Sequence, residues 1–355
     1  MTNMISSTSE LRQYLENCQP IHGKKICAID TEADSLHRHR ESLCLIQFTA
    51  GDDCVLIDPL TIDDLSPLDE YLRDATVWMH GADYDMTMLK REFGNLPEKV
   101  YDTQIGARLL GVEKFGLGNL VENYFDIVLS KSSQKADWGK RPLSEKMIDY
   151  ALNDVRYLLE MGELIVSKLK EKGRYEWFTE SCEAAQAKVA ERDDSKEDQW
   201  RISGSGKLDS FGLAWLRALW YWRDKEAESW DKPSFMVAPN RILIEWSILL
   251  ADGNKVDLPN HYRGDRVKRF REMLDEVKAL SKSDWPARPV SNRRKRDREF
   301  DDRVDSLIGM RNSIANDLGI DGSLIASRAV VESIAANEST PEELLMNWQL
   351  KLLAL

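Results

Sequence analysis

The segment 26-ICAIDTE-32 ends an apolar run in two carboxylates, Asp30 and Glu32. In an extended strand, residues two apart project from the same face about 6.6 Å apart, so the pair would stand side by side. Carboxylates that close repel unless a cation lies between them or one takes a proton. Alone, such a pair is more often two solvated turn residues than a site. A second acidic pair, Asp83 and Asp85, opens a helix expected over 83–93, where acids commonly offset the helix dipole. In 150-YALNDVRYLL-159, Tyr150 and Asp154 are four residues apart, one turn above each other on a helix face. Asp149 points elsewhere, about 100° round the helix.

The three motifs together say more than each does singly. Carboxylates from three separated elements can hold two divalent ions about 3.5–4 Å apart, which activates a water and stabilises the leaving oxygen of a phosphodiester. Oxygen ligands without a Cys or His cluster select Mg²⁺ or Mn²⁺ over zinc. The tyrosine would orient the attacking water or help to deprotonate it. The five cysteines are odd in number and never in CxxC spacing, which fits reduced thiols of a cytoplasmic protein better than zinc or disulfides.

The elements that must position these residues read as an α/β unit with a mixed sheet. Strands are expected over 24–30, 42–50 and 54–60, with Gly51-Asp52-Asp53 as the turn between the last two. A helix over 61–73, a strand over 77–80 and the helix over 83–93 follow. Short helices are expected over 102–111 and 117–125, and one long helix over 144–171. The polar segment 191–207 reads as a linker, after which the pattern is helical, with a second break within 281–299. No apolar run approaches the roughly 18 residues of a membrane span, and the N-terminus shows no secretory signal.

The chain of 355 residues carries a net charge of −12, which by itself argues against nucleic acid as a partner. Residues 262–311 are the exception, with 15 Lys and Arg against 10 Asp and Glu.

The ordered motifs resemble those of the DEDD 3′→5′ exonucleases, in the branch with tyrosine in the third motif, and most closely the ribonuclease D family. The resemblance runs through 27-CAIDTEADSLHRHRESLCLIQFTAGDDCVLIDPL-60, 80-HGADYDMTML-89, 101-YDTQIGARLLG-111, 116-GLGNLVENYF-125 and 137-DWGKRPLSEKMIDYALNDVRYLL-159. After the linker, 216-LRALWYWRDKEAESWDKPSFMVAPNRILIEWS-247 resembles an HRDC domain, a helical nucleic-acid-binding module, and 311-RNSIANDLGIDGSLIASRAVVESIA-335 a second copy. Glu226 and Glu228 stand where many HRDC sequences are basic, and 288-RPVSNRRKRDR-298 could supply the missing charge.

The resemblance implies an α/β ribonuclease H-like exonuclease domain with a mixed sheet over 1–190, followed by two small all-α HRDC-like domains. These would be a linker at 191–207, the first HRDC domain at 208–282, a basic linker at 283–298 and the second HRDC-like domain at 299–355. By motif position, Asp30, Glu32, Asp85 and Asp154 match the metal-binding carboxylates, and Tyr150 the water-positioning tyrosine. Asp83 falls off the motif. Asp102 is read as a helix cap and His80 as a buried hydrogen-bonding group. Gln134, Trp138 and Arg141 are candidate contacts to the RNA end, with a buried tryptophan as the alternative. The 37-HRHR-40 loop is expected to lie exposed near phosphate, with a metal site as the alternative. The implied activity is a two-metal 3′→5′ exoribonuclease, releasing 5′-mononucleotides from structured-RNA precursors, tRNA 3′ ends above all, in a cytoplasmic monomer. A DNA exonuclease and a non-catalytic RNA-binding module are the alternatives.

Overall fold

The strand that carries the first acidic pair forms because 26-ICAI-29 is apolar at every position, the pattern of a strand covered on both faces. The computed structural model describes residues 4–21, 23–51, 53–130, 132–192, 198–288 and 298–355. It divides into two compact units, one of Met1–Ala33, Leu43–Arg192 and Arg294–Leu355, the other of Asp34–Ser42 and Asp193–Arg293.

The first unit is built on a six-stranded mixed sheet. In chain order its elements are β1 (Met4–Ile5), α1 (Thr8–Asn17), β2 (Ile26–Ala33), β3 (Leu43–Thr49) and β4 (Cys54–Ile57). Then come α2 (Ser66–Leu72), β5 (Thr76–Met79), α3 (Asp83–Phe93), β6 (Lys99–Asp102), α4 (Thr103–Leu109) and α5 (Leu117–Phe125). Three longer helices complete the run: α6 (Glu145–Arg156), α7 (Leu158–Glu171) and α8 (Tyr175–Ala190). The strand order is β1-β4-β3-β2-β5-β6. β3 pairs antiparallel with β2 and β4, whereas β1–β4, β2–β5 and β5–β6 are parallel.

Side-chain alternation splits β2 between two cores. Cys27 and Ile29 join Phe48, Leu68, Met79 and Leu89 on the face of α1–α3, while Ala28 joins Trp78, Leu152, Val155 and Ile165 on the face of α6–α8. Asp30 and Glu32 therefore continue the row that faces α6, and Thr31 the row that faces α3.

The second unit contains α9 (Ser210–Trp230), α10 (Ser234–Val237), α11 (Asn240–Ala251) and α12 (Gly264–Ala279) around a core rich in tryptophan, including Trp215, Trp222 and Trp246. Glu226 is 2 % exposed and ion-pairs with both Arg266 and Arg269. The 34–42 loop belongs to this unit, and His39, Arg38 and Arg40 have acidic partners. His39 Nε2 meets Asp224 at 2.8 Å, Arg40 meets Glu228 at 3.0 Å, and Arg38 lies 3.6 Å from Asp231. Arg38 and Arg40 of the expected basic loop are thus paired with acids.

The C-terminal helices are α13 (Arg298–Leu318), α14 (Gly322–Ile325), α15 (Arg328–Ala335), α16 (Pro341–Leu344) and α17 (Asn347–Leu353). The sequence pattern presents them as a separate domain, yet they cluster with the first unit and share its core through Phe300, Val304, Ile325 and Trp348. Trp348 stacks on Trp177 with ring centroids 5.0 Å apart. Buried Arg174 donates from Nη1 to Leu109 O and from Nη2 to Leu318 O, each at 2.7 Å.

Other expectations shift locally. The helix expected over 61–73 begins at Ser66, because Asp58 draws Leu60, Thr61 and Ile62 into a turn and Pro67 then opens the helix. The long helix over 144–171 breaks at Tyr157, whose ring packs on Phe125 at 5.2 Å. Two-residue β1, α1 and four-residue β6 carry no periodicity that the sequence reading used. Residues 289–297, most of the basic linker, lie outside those described. Among the described residues no helix is long and apolar enough to cross a membrane.

Gly111 tests the docking of the C-terminal helices. It sits at φ +86°, and a Cβ there would lie 2.0 Å from Gly319 O. Gly111→Ala combines an unfavourable φ with a backbone clash and should cost at least about 2 kcal/mol, read by chemical denaturation. A chain ending at Glu191 should melt lower still, because Trp177 and the surfaces beneath α13–α17 lose their cover. Unchanged stability in both would mean that this segment is not part of the core.

Candidate active site

β2 presents Asp30 and Glu32 at its C-terminal end, where its register with β3 shifts between Glu32 and Ala33. α3 begins after the turn following β5, which Asp102 organises. Its carboxylate accepts from Gly81 N and Ala82 N at 2.9 Å and from Gln104 N at 2.7 Å. Asp102 thereby caps α4, as expected, and holds the start of α3 beside the sheet. Asp85, in the first turn of α3, is 5 % exposed. Thr31, on the α3 face of β2, donates to Asp85 Oδ1 from its N–H at 2.9 Å and its hydroxyl at 2.6 Å. From the opposite face, α6 brings Asp154 and Tyr150, four residues apart on one helix, to the same cavity.

Carboxylate oxygens of Asp30, Glu32 and Asp154 all lie within 4.8 Å of one another, close enough to hold one cation. With Asp85, Tyr150 and Gln134 they line a cavity of about 450 Å³, which also takes in Thr31, His80, Tyr84, Gly116, Leu117, Gly118, Asn119, Leu129 and Ser130. No lysine or arginine occurs among these described lining residues.

The electrostatics follow from that composition. Burial, and then Asp85, Asp154 and Glu32, hold the Asp30 carboxyl well above the usual carboxylate range. Burial with Asp154 and Asp85 pushes Glu32 up to about 8. Asp85 rises to about 7 by burial against the opposing Thr31 hydrogen bonds, and Asp154 to about 7 against that from Tyr150. Burial and the surrounding carboxylates also raise Tyr150, so its hydroxyl acts as a donor. Four acids without a counter-charge suit a multivalent cation.

Of the remaining expected residues, Gln134 reaches the cavity and is exposed on its wall. Trp138 and Arg141 do not. Trp138 is 1 % exposed and packs behind Tyr150, ring centroids 6.1 Å apart. Arg141 is pinned to buried Asp58 by two hydrogen bonds of 2.6 and 2.7 Å, and to Cys44 O and Trp138 O besides. The two support the cavity wall instead of facing it. Asp83 is turned to Arg192 at 2.7 Å, and Asp149 is exposed. Thr31 and the Gly116–Asn119 wall were not found from sequence. Thr31 was legible only as the middle residue of the DxE motif.

A family model described as 3′-5′ exonuclease matches residues 3–173. The ribonuclease D of Zymomonas mobilis is 30% identical over 348 residues, spanning 94% of this chain and 87% of that protein. Among solved structures, a Bifidobacterium adolescentis protein superposes with a TM-score of 0.81 at 23% identity, over 99% of this chain and 95% of that one. Escherichia coli RNase D, an exoribonuclease involved in structured RNA processing, does so at 0.75 and 24% identity, over 100% and 99% of the two chains. These two likenesses establish the shared fold.

The raised carboxyls make a pH prediction. A group that binds its proton more tightly when folded loses stability as pH rises. For Glu32 the loss begins near its ordinary value of 4.5 and is complete above about 8. The metal-free protein should therefore melt lower at about pH 8.5 than at about pH 5.5, and added Mg²⁺ should raise Tm more at the higher pH. A Tm that rises across this window, with no larger Mg²⁺ gain at its top, would contradict the clustered acids.

Proposed function

Because the chain belongs to the ribonuclease D family and is a 3′-5′ exoribonuclease, we propose that Asp30, Glu32, Asp85 and Asp154 hold two divalent ions, Mg²⁺ or Mn²⁺, for phosphodiester hydrolysis. The observation that carries this reading is the convergence of four carboxylates in a cavity without a cationic side chain among its described lining residues. When bound, such ions supply an activated water and neutralise charge on the scissile phosphate and leaving oxygen.

The chain's own groups do the rest. Thr31 fixes Asp85 by two hydrogen bonds to one carboxylate oxygen. Tyr150, braced by Trp138, orients the attacking water by hydrogen bonding. Leu117 and Leu129 give the cavity apolar wall for the terminal base, and Gln134 is placed to contact the sugar or base.

The proposed substrates are structured-RNA precursors, with tRNA 3′ ends foremost and 5′-mononucleotides as products. In the proposed domain scheme, residues 208–282 form an HRDC module and residues 299–355 a second HRDC-like module packed on the exonuclease core. A cytoplasmic monomer completes the reading.

The deciding experiment incubates full-length protein with 5′-labelled single-stranded RNA and DNA. RNA should shorten stepwise from its 3′ end in Mg²⁺ or Mn²⁺ and stay intact in EDTA. Asp154→Asn should abolish shortening, and its metal-free Tm should equal or exceed that of the parent, because one member of a repelling cluster is gone. Near-normal turnover of this variant in saturating Mg²⁺ would remove the metal assignment. Tyr150→Phe should keep metal-induced stabilisation yet slow single-turnover hydrolysis by about 10²-fold or more; an undiminished rate would leave Tyr150 as packing only.

A further inference from the structure

Gln47 lies in β3 directly opposite Asp30. The antiparallel register pairs the two, with Leu45 opposite Glu32 and Thr49 opposite Ala28. Directly opposed residues point to the same face with Cβ atoms about 5 Å apart. Gln47 therefore belongs to the face that α6 covers, beside the first of the four acids. It is 0 % exposed, and neither Nε2 nor Oε1 has a hydrogen-bond partner among the described residues. An unpaired buried amide carries its desolvation cost in full, and a methionine or leucine would fill similar space without it. Packing alone does not account for a glutamine here.

Its neighbours on the sheet narrow what does. Ala28, Leu45 and Leu56 offer only carbon from their side chains. The Thr49 hydroxyl is engaged with Gly51 O and Asp53 O. Asp58, just beyond β4, is gripped by Arg141 and accepts from Leu60 N. Asp30 is the acid directly beside Gln47, and it belongs to a cluster with no cationic side chain among the described lining residues. The other face of β2 shows the same device, since Thr31 clamps Asp85 from the sheet. A glutamine amide turns about a soft terminal torsion, so Nε2 can follow an ionised carboxylate without moving the backbone.

We propose that Gln47 is a positioning residue for the metal site: its Nε2 donates to the Asp30 carboxylate when a divalent ion binds, and so fixes the orientation in which Asp30 ligates. The inference rests on the metal reading of the four acids. Gln47 is not among the residues that line the cavity, and it acts only through Asp30.

The test titrates Mg²⁺ into the full-length parent, Gln47→Met and Gln47→Leu, and follows both Tm and single-turnover RNA shortening. Because the amide is unpaired in the metal-free fold, both variants should melt at least as high as the parent without metal. Both should need roughly 10-fold more Mg²⁺ for half of the Tm gain, the scale of one hydrogen bond to a charged group. The half-saturating Mg²⁺ for RNA shortening should rise in step, with a rate at saturation close to that of the parent. Leu45→Met, on the same face opposite Glu32, should leave the Mg²⁺ requirement unchanged and so controls for packing. A crystal structure of the Mg²⁺-loaded parent should place Nε2 about 2.9 Å from an Asp30 oxygen. An unchanged Mg²⁺ requirement in the Gln47 variants, whatever their metal-free Tm, would make Gln47 a packing residue and overturn the proposal. So would failure of both variants to fold, or a loaded structure in which Nε2 meets any group other than Asp30. A parent protein that gains no Tm from Mg²⁺ fails at the earlier step, the metal reading itself, and this proposal falls with it.

Discussion

The site depends on one constraint, which is that four carboxylates must be kept together in a half-buried cavity with no cationic side chain among its described lining residues to balance them. Burial raises the pKa of all four, and repulsion within the cluster adds to it at Asp30, Glu32 and Asp154. Such a cluster cannot hold itself together, and its geometry must come from elsewhere. The sheet supplies it. Alternation along β2 sends Asp30 and Glu32 toward α6 and Thr31 toward α3, so one strand reaches Asp154 through one layer and Asp85 through the other. Neither helix layer alone would complete the cavity.

The residues around the acids explain how that arrangement tolerates the repulsion. Asp102 accepts three backbone N–H groups and fixes the turn from which α3 starts. Arg141 grips buried Asp58 and three carbonyls and ties the segment before α6 to the sheet. Trp138 fills the space behind Tyr150. On the face of α6–α8, the C-terminal helices complete the core, with Arg174 bridging Leu109 O and Leu318 O. A guanidinium that satisfies carbonyls from two distant segments is costly to leave unpaired, so it specifies one docking.

In the second unit the charges are arranged differently. Glu226 is buried between Arg266 and Arg269, and Lys268 and Lys278 pair with acids on their own helix. Glu226 is therefore a structural counter-ion. The positive balance read from 262–311 overstates the charge that α12 offers to phosphate, since part of it neutralises Glu226.

The order of the motifs, the spacing of Asp30 with Glu32 and of Tyr150 with Asp154, and the apolar run of β2 are local patterns. They were legible because strand and helix geometry convert sequence spacing directly into position on a face. The helix over 83–93 was read to its boundaries for the same reason. Trp138 and Arg141 looked like substrate contacts because sequence shows residue type and not direction; only packing turned one behind Tyr150 and the other onto Asp58. Thr31 as the clamp on Asp85 depends on strand and helix meeting 54 residues apart. The hydrogen bond of His80 Nδ1 is to Thr103, which lies 23 residues away. The C-terminal helices show a self-contained pattern because their apolar stripes do not say what will cover them. Local periodicity determined which residues share a face, and tertiary contact between distant segments decided what each face meets.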